Sequence, residues 1–229
     1  MNHFFCESIN DGIGFLNQLD SHHATRVLRL KEGSKISVSP NNGQVYAAEI
    51  LNANKNELRF QCTHLLREEQ RPLLSIAIAP TKSNDRFEWF LEKATEIGIA
   101  NIYPILCANS ERKVYKTERG EKVIMAAAKQ SKKGFLPELH ELQKVKSLIK
   151  DWSQKPSYIA HLVDGPKTTL NDINFKDECL FLIGPEGDFN DTEVQFALQE
   201  GFKPISLGEE VLRTETAGMK IAAAAALLR

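Results

Sequence analysis

Long apolar runs are missing from this chain of 229 residues. None approaches the roughly eighteen residues needed to cross a bilayer, so a membrane-spanning helix is excluded. Cysteine is scarce: Cys6, Cys62, Cys107 and Cys179 stand far apart, without a C-x-x-C pair or a Cys/His cluster at zinc spacing. Neither a disulfide framework nor a bound metal is expected. Neither sign of charge is in excess, with 29 Lys and Arg against 30 Asp and Glu and a formal net charge of -1. Nothing global announces a nucleic-acid partner, and any such function must reside in local patches. The opening MNHFFCESIND has neither the basic start nor the apolar core of a secretory signal, which makes the cytoplasm the expected location. Two phosphate signatures are also absent, the G-x-x-x-x-G-K-[ST] loop and the G-x-G-x-x-G fingerprint. Internal repeats are lacking, and the only biased tract is the Ala-rich C-terminal segment.

What is present reads as ordinary globular material, 42% hydrophobic and 26% charged, enough for one large domain or two unequal ones. Alternating residues from Lys35, the Pro40-Asn41-Asn42-Gly43 turn and the run Val45 to Leu51 predict a β-hairpin. A further strand is predicted over Glu57 to Leu65. The charged stretch Arg67 to Pro72 reads as a linker. Residues 1–68 therefore form a small, mostly β domain. From residue 73 to 229 strands alternate with helices. Apolar runs at Leu73–Ala79, Ile102–Leu106, Tyr158–Val163, Cys179–Ile183 and Pro204–Leu207 are separated by helical patterns. Those patterns cover Asn84–Gly98, Glu118–Lys132, Lys144–Trp152, Asp191–Glu200 and Thr216–Arg229. The alternation predicts an α/β domain with a mainly parallel sheet covered on both faces.

Ligands of open α/β sheets lie at the carboxyl ends of strands. Gly184-Pro185-Glu186-Gly187 directly follows one predicted strand, and Gly208 follows the next. Glycine lets a backbone approach a ligand without a Cβ in the way, although tight connections alone would produce the same residues. Glu186 and Asp188 would repel a phosphate, so the spacing favours a ligand that is neutral or cationic where it meets the chain.

Several segments in order then carry a resemblance. LFLIGPEGDF (residues 180–189) precedes LGEEVLRTETAG (207–218), and His22-His23-Ala24-Thr25-Arg26-Val27-Leu28-Arg29 precedes Gly33. Between them come Lys93-Ala94-Thr95-Glu96-Ile97-Gly98, Ser110-Glu111-Arg112 and Lys129-Gln130-Ser131. Over essentially its whole length the chain resembles the bacterial 16S ribosomal RNA (uracil-N3)-methyltransferases of the SPOUT superfamily. The resemblance implies an N-terminal PUA-like β-barrel for RNA and a C-terminal trefoil-knotted α/β domain that binds S-adenosyl-L-methionine. It also implies a homodimer acting on the small ribosomal subunit or its RNA. The cofactor's positive sulfonium fits an acidic turn. The implied cofactor residues are Leu162, Ile183, Gly184, Pro185, Glu186, Gly187, Leu207, Gly208, Leu212, Arg213 and Thr214. Leu162 stands in a Leu162-Val163-Asp164 loop.

Arg213 is the catalytic candidate, as an electrostatic aid to uracil deprotonation, with ion pairing to Glu209, Glu210 or Glu215 as its structural alternative. Glu215 could serve as a base or simply complement a helix dipole. On a helix over Ser21 to Leu30, His22, Arg26 and Arg29 would share one face suited to RNA phosphates. Lys82, Arg86, Arg112 and Lys133 extend the RNA candidates, together with Lys113 and Lys132. The chain departs from the family pattern at Asp188, where relatives often have glycine, at Glu210, where arginine is common, and at Lys129, where glutamate is common. These departures leave a non-catalytic RNA-binding or assembly module as the alternative. An unrelated nucleotide hydrolase is disfavoured by the missing phosphate-loop lysine.

Overall fold

The computed structural model describes residues 1–153 and 155–228. The chain divides into two compact units, one of Met1–Arg71 with Met125–Leu136, the other of Pro72–Ile124 with Pro137–Arg229.

The first unit contains β1 (His3–Phe5), β2 (Ile9–Asn10), β3 (Ile13–Phe15), α1 (Gln18–His22), a π-helical turn (His23–Val27), β4 (Lys35–Ser39), β5 (Gln44–Asn52) and β6 (Arg59–Glu68). Its sheet runs β1-β4-β5-β6-β3-β2, antiparallel except for the β1–β4 pair. The β5–β6 ladder slips register at Val45/Tyr46, Ala47/Ala48 and Ile50/Asn52, and such bulges sharpen the coil of a sheet. The sheet closes over Phe4, Leu16, Ala24, Ile36, Val38, Ile50, Leu58 and Phe60. In the β4–β5 turn Asn41 and Gly43 have φ of 59° and 94°. A Cβ on Gly43 would also collide with the Glu69 carbonyl and the Phe135 ring, so this glycine serves packing as well as the turn.

Two expectations are corrected here. The predicted helix over Ser21 to Leu30 is not one α-helix. Leu28 N–H reaches back to the His23 carbonyl at 3.0 Å and Leu30 N–H to that of Ala24 at 2.9 Å, while Arg29 turns left-handed at φ 55°. His22, Arg26 and Arg29 therefore do not share one helical face. The stretch from Arg67 to Pro72 is also not a free linker. Arg67 and Glu68 end β6, Arg67 pairs with Glu69 at 2.7 Å and donates to the Lys132 carbonyl, and Glu69 accepts the Gly134 N–H at 2.8 Å.

The same segment explains why residues 125–136 belong with the first unit although they follow it by more than fifty positions. Gly43 N–H and Ser39 Oγ both donate to the Gly134 carbonyl, at 3.0 and 3.1 Å. His3 Nε2 lies 3.0 Å from the Lys133 carbonyl oxygen. Lys129 Nζ meets the buried Asp20 carboxylate at 2.5 Å.

The second unit contains β7 (Leu74–Ile78), α2 (Asn84–Ile97), β8 (Asn101–Leu106), α3 (Thr117–Gln130, shared with the first unit from Met125), β9 (Glu138–Leu139), β10 (Gln143–Lys144) and α4 (Val145–Asp151). It continues through β11 (Ser157–Ala160), β12 (Thr168–Thr169), a 3₁₀ turn (Leu170–Asp172), β13 (Cys179–Ile183), α5 (Asp191–Gln199), β14 (Lys203–Ser206) and α6 (Thr214–Leu228). All strands are parallel, in the order β10-β8-β7-β13-β11-β14-β12, with β9 also on β8. The uninterrupted apolar sequence of β13 is buried throughout, as befits a strand covered on both faces. One face packs on Val145, Leu148, Ile149 and Trp152 from α4 and its end, and on Val194 and Ala197 from α5. α6 packs on α2, β7 and β13.

β11 stops at Ala160, not at Val163 as the apolar run predicts, so residues 161–167 are loop. Since β13, β11 and β14 are adjacent and parallel, the segments leaving their carboxyl ends emerge side by side.

Candidate cofactor pocket

Those three segments enclose a cavity of about 470 Å³. Leu162, Ile183, Gly184, Pro185, Glu186, Leu207, Gly208, Leu212, Arg213 and Thr214 from the sequence-derived set all line it. Gly187 does not. A Cβ on it would stand 3.3 Å from Asn109 Cβ, and Asn109 Nδ2 donates to the carbonyls of Gly187 and Asp188 at 2.9 and 3.1 Å. Gly187 thus faces the supporting loop rather than the cavity. Gly208 has φ 113°, a conformation that side chains with a Cβ resist. Thr214 Oγ1 donates to the Gly184 carbonyl at 3.1 Å, tying the start of α6 to the end of β13.

The wall also holds polar residues that sequence reasoning did not select. Asp188 has φ 58°; its Oδ2 accepts the Leu162 N–H and its Oδ1 the Phe189 N–H, each at 2.8 Å. This carboxylate joins the segment after β11 to the turn after β13. His161, on the cavity wall, has both ring nitrogens shielded from solvent with no hydrogen-bond partner among the described residues. Burial, and next the charge of Lys167, press its pKa below the usual histidine value, against an opposing pull from Asp188. The ring is therefore neutral near pH 7, with one N–H to give and one lone pair to accept. Lys167 Nζ donates to the His161 carbonyl at 2.8 Å. In the sequence Asp188 stands out by its charge in the glycine turn, His161 falls inside an apolar run and Lys167 follows that run by four positions.

Asp164, Glu186, Asp188, Glu209 and Glu210 outnumber Lys167 and Arg213 around the cavity. Such a lining repels phosphate and accommodates a cation. The donor set fits S-adenosylmethionine, with its positive sulfonium and polar ribose and amino-acid ends.

Arg213 is exposed on the cavity rim and has no ion pair among the described residues. Glu215 lies buried in the first turn of α6, with Arg86 Nε 3.9 Å away. Of the other RNA candidates, Lys82 pairs with Glu111 at 2.9 Å. Arg112 donates to the carbonyls of Thr81 and Lys82 at 2.9 and 2.6 Å, so its guanidinium holds a loop. Lys133 belongs to the 125–136 segment of the first unit.

A family model described as an RNA methyltransferase domain matches residues 68–227. The chain belongs to this RNA methyltransferase family. A second model, an RNA methyltransferase PUA domain, matches residues 16–61. Among curated relatives, the "Ribosomal RNA small subunit methyltransferase E" of Mesomycoplasma hyopneumoniae is 30% identical over 96% of both chains. That of Synechocystis is 29% identical over 92% of this chain and 72% of its own. Among solved structures, a "probable rRNA-methyltransferase" from Porphyromonas gingivalis superposes with a TM-score of 0.87 at 33% identity, covering 100% of this chain and 98% of that one. The Neisseria gonorrhoeae small subunit methyltransferase E, solved bound to S-adenosyl methionine, has the same fold at a TM-score of 0.85, 23% identity and coverage of 98% and 96%. The PUA match lies within the first unit, and the methyltransferase match spans the second unit together with residues 125–136 of the first.

Proposed function

We propose that this protein transfers a methyl group from S-adenosyl-L-methionine to N3 of a uridine in 16S ribosomal RNA, as a cytoplasmic homodimer with a trefoil-knotted second unit. The observation that carries the reading is the convergence of three strand-end segments on an acid-lined cavity in a member of the RNA methyltransferase family. When bound, the cofactor supplies an electrophilic methyl on a positively charged sulfur. Leu162, Ile183, Gly184, Pro185, Leu207, Gly208, Leu212 and Thr214 would hold it, while Glu186 and Asp188 balance its charge.

Uracil N3 carries a proton near neutral pH, and removing it spreads negative charge over the two flanking carbonyl oxygens. Arg213, exposed at the rim without an ion pair among the described residues, offers a positive group for that charge. Its planar guanidinium can converge two N–H donors on one of those carbonyl oxygens in a fixed plane and leave N3 open, a geometry that the lysine ammonium does not fix. The target base must be out of its stack to enter the cavity. The positive Arg213 at the rim weighs against a non-catalytic module, and the acidity of the lining against a nucleotide hydrolase.

The test uses purified protein, methyl-labelled cofactor and small subunits from a strain lacking the activity. Stoichiometric label in the 16S RNA, lost in the Arg213→Ala variant, is expected. Cofactor binding without transfer to free RNA or subunits would overturn the catalytic reading, and a monomer by sedimentation would remove the dimer.

A further inference from the structure

We propose that the first unit carries a phosphodiester-binding cup built from Arg26, Lys31 and Lys55, which grips the RNA backbone away from the reacting base. The proposal rests on RNA being the substrate and identifies where the first unit holds it.

The starting observation is a concavity of about 630 Å³ lined by these three cations together with Thr25, Glu32 and the apolar Leu30 and Ala53. Its shape follows from an unusual local fold. Thr25 Oγ1 donates to the Ser21 carbonyl at 2.8 Å, and the chain over His23–Val27 widens into a π-helix, a form that recurs at functional sites. The 3.0 and 2.9 Å bonds from Leu28 to His23 and from Leu30 to Ala24 wrap the chain end back over this turn. The left-handed Arg29 completes the reversal and brings Lys31 beside Arg26 on the cup. Lys31 N–H is fixed to Ser34 Oγ at 2.9 Å, and Gly33 N–H to the Ile50 carbonyl at 2.9 Å. Lys55 comes from the β5–β6 turn, where Asn56 N–H donates to Asn54 Oδ1 at 2.9 Å. The backbone beneath the cations is thus held by hydrogen bonds, leaving their side chains to the ligand.

Charge decides what that ligand is. Arg26, Lys31 and Lys55 are exposed and make no ion pair among the described residues, whereas Arg67 and Lys129 of the same unit each pair with a carboxylate. Glu32 alone opposes them, so the cup is net positive. No aromatic ring among the described residues lines it, which argues against base stacking as its mode of contact. Convergent cations without a stacking platform suit phosphate oxygens, the contacts that set register on a nucleic acid while leaving sequence to be read elsewhere. This placement differs from the helical face of His22, Arg26 and Arg29 that the sequence suggests. It retains Arg26, leaves out His22 and Arg29, and adds Lys31 and, from a distant hairpin, Lys55.

The experiment measures binding of the full-length protein to a 16S ribosomal RNA transcript across a salt series. Each single-strand phosphate contact contributes about 0.7 to the slope of log K against log salt. The combined R26A, K31A and K55A variant should therefore flatten the slope by about 2. The Lys31→Arg and Lys55→Arg variants should keep the parent slope, and Glu32→Gln should tighten binding. Affinity for S-adenosylmethionine should stay at the parent value in all of them. A triple variant with the parent slope and an unchanged melting temperature overturns the cup. Should the triple variant fail to fold, Lys55→Ala and Glu32→Gln decide alone, and parent-like binding in both overturns it. Inorganic pyrophosphate displacing the transcript at equal phosphate concentration would make this a free-anion site and also overturn the RNA assignment. Loss of the slope without any methyl transfer would leave the cup standing and remove the methylation reading; transfer with an unchanged slope would do the reverse.

Discussion

Replacing Asp188 with glycine probes the cofactor pocket through one carboxylate whose two roles oppose each other. In the native chain its oxygens accept the N–H groups of Leu162 and Phe189, each at 2.8 Å. Hydrogen bonds to a charged group contribute about 1.5 to 3 kcal/mol, and the exposed setting of Leu162 puts its bond near the lower end. Against this, a residue with a Cβ at φ 58° is strained by about 1 to 2 kcal/mol relative to glycine. The relieved strain offsets roughly one of the two bonds, and the loss of the other remains. That remaining loss falls on the pocket, because among the described residues the Asp188 carboxylate ties the segment after β11 to the turn after β13. Loss of about 1.5 to 3 kcal/mol of loop order should appear as roughly ten- to hundredfold weaker cofactor binding. Asp188→Asn tolerates the left-handed backbone but sets an amide N–H against a backbone N–H, so it should not restore the parent affinity. Calorimetry with S-adenosylmethionine, beside hydrogen exchange at the Leu162 amide, reads both effects. Parent affinity within twofold together with unchanged Leu162 exchange would refute the assignment of Asp188 as the tie between these loops.

Arg213→Ala should lower turnover by about a hundred- to a thousandfold, with Arg213→Lys intermediate and cofactor affinity held; a change confined to KM would make the residue a substrate contact. Gly208→Val forces a β-branched residue to φ 113° and should weaken cofactor binding while the fold survives, and calorimetry showing unchanged affinity in a folded variant would remove Gly208 from the site. His3 gives a pH test of the first unit. Burial drives its pKa down from 6.5 to about 4, so the unfolded chain binds the proton more readily than the folded one. Its contribution is intact above pH 6.5 and is lost as pH falls toward 4, a change of roughly 3 kcal/mol over the whole interval. Urea unfolding at a series of pH values should show this slope and lose it in His3→Asn; an identical slope in the variant would assign the effect elsewhere.

The second unit was largely legible because its strands are apolar runs and its helices keep helical spacing, as in β13 and α2. β11 was overextended because Leu162 and Val163 are apolar yet exposed in the loop. The first unit was harder. β1, β2 and β3 are two or three residues long, too short for periodicity to register. The widening of the chain at His23–Val27 depends on hydrogen bonding that residue spacing does not encode. The place of residues 125–136 in the first unit leaves no mark in their own sequence, because their partners, such as Gly43 for Gly134, are distant along the chain. At the pocket, glycines after apolar strands pointed to the loops that meet there. Gly187 was drawn in by its motif although its neighbour is Asn109. His161, Lys167 and the carboxylate tie of Asp188 escaped because a polar loop residue carries no periodic signal of what it faces. Lys31 and Lys55 escaped because a hairpin separates them.

The central claim is the identity of the methylated atom. Small subunits from a strain lacking the activity, incubated with this protein and S-adenosylmethionine, can be digested to nucleosides and resolved by mass spectrometry against methyluridine standards. The account predicts 3-methyluridine in the 16S RNA, appearing only when both protein and cofactor are present. A methyl group on C5, on the ribose 2′-oxygen or on another base, or no methyl group at saturating cofactor, would contradict it.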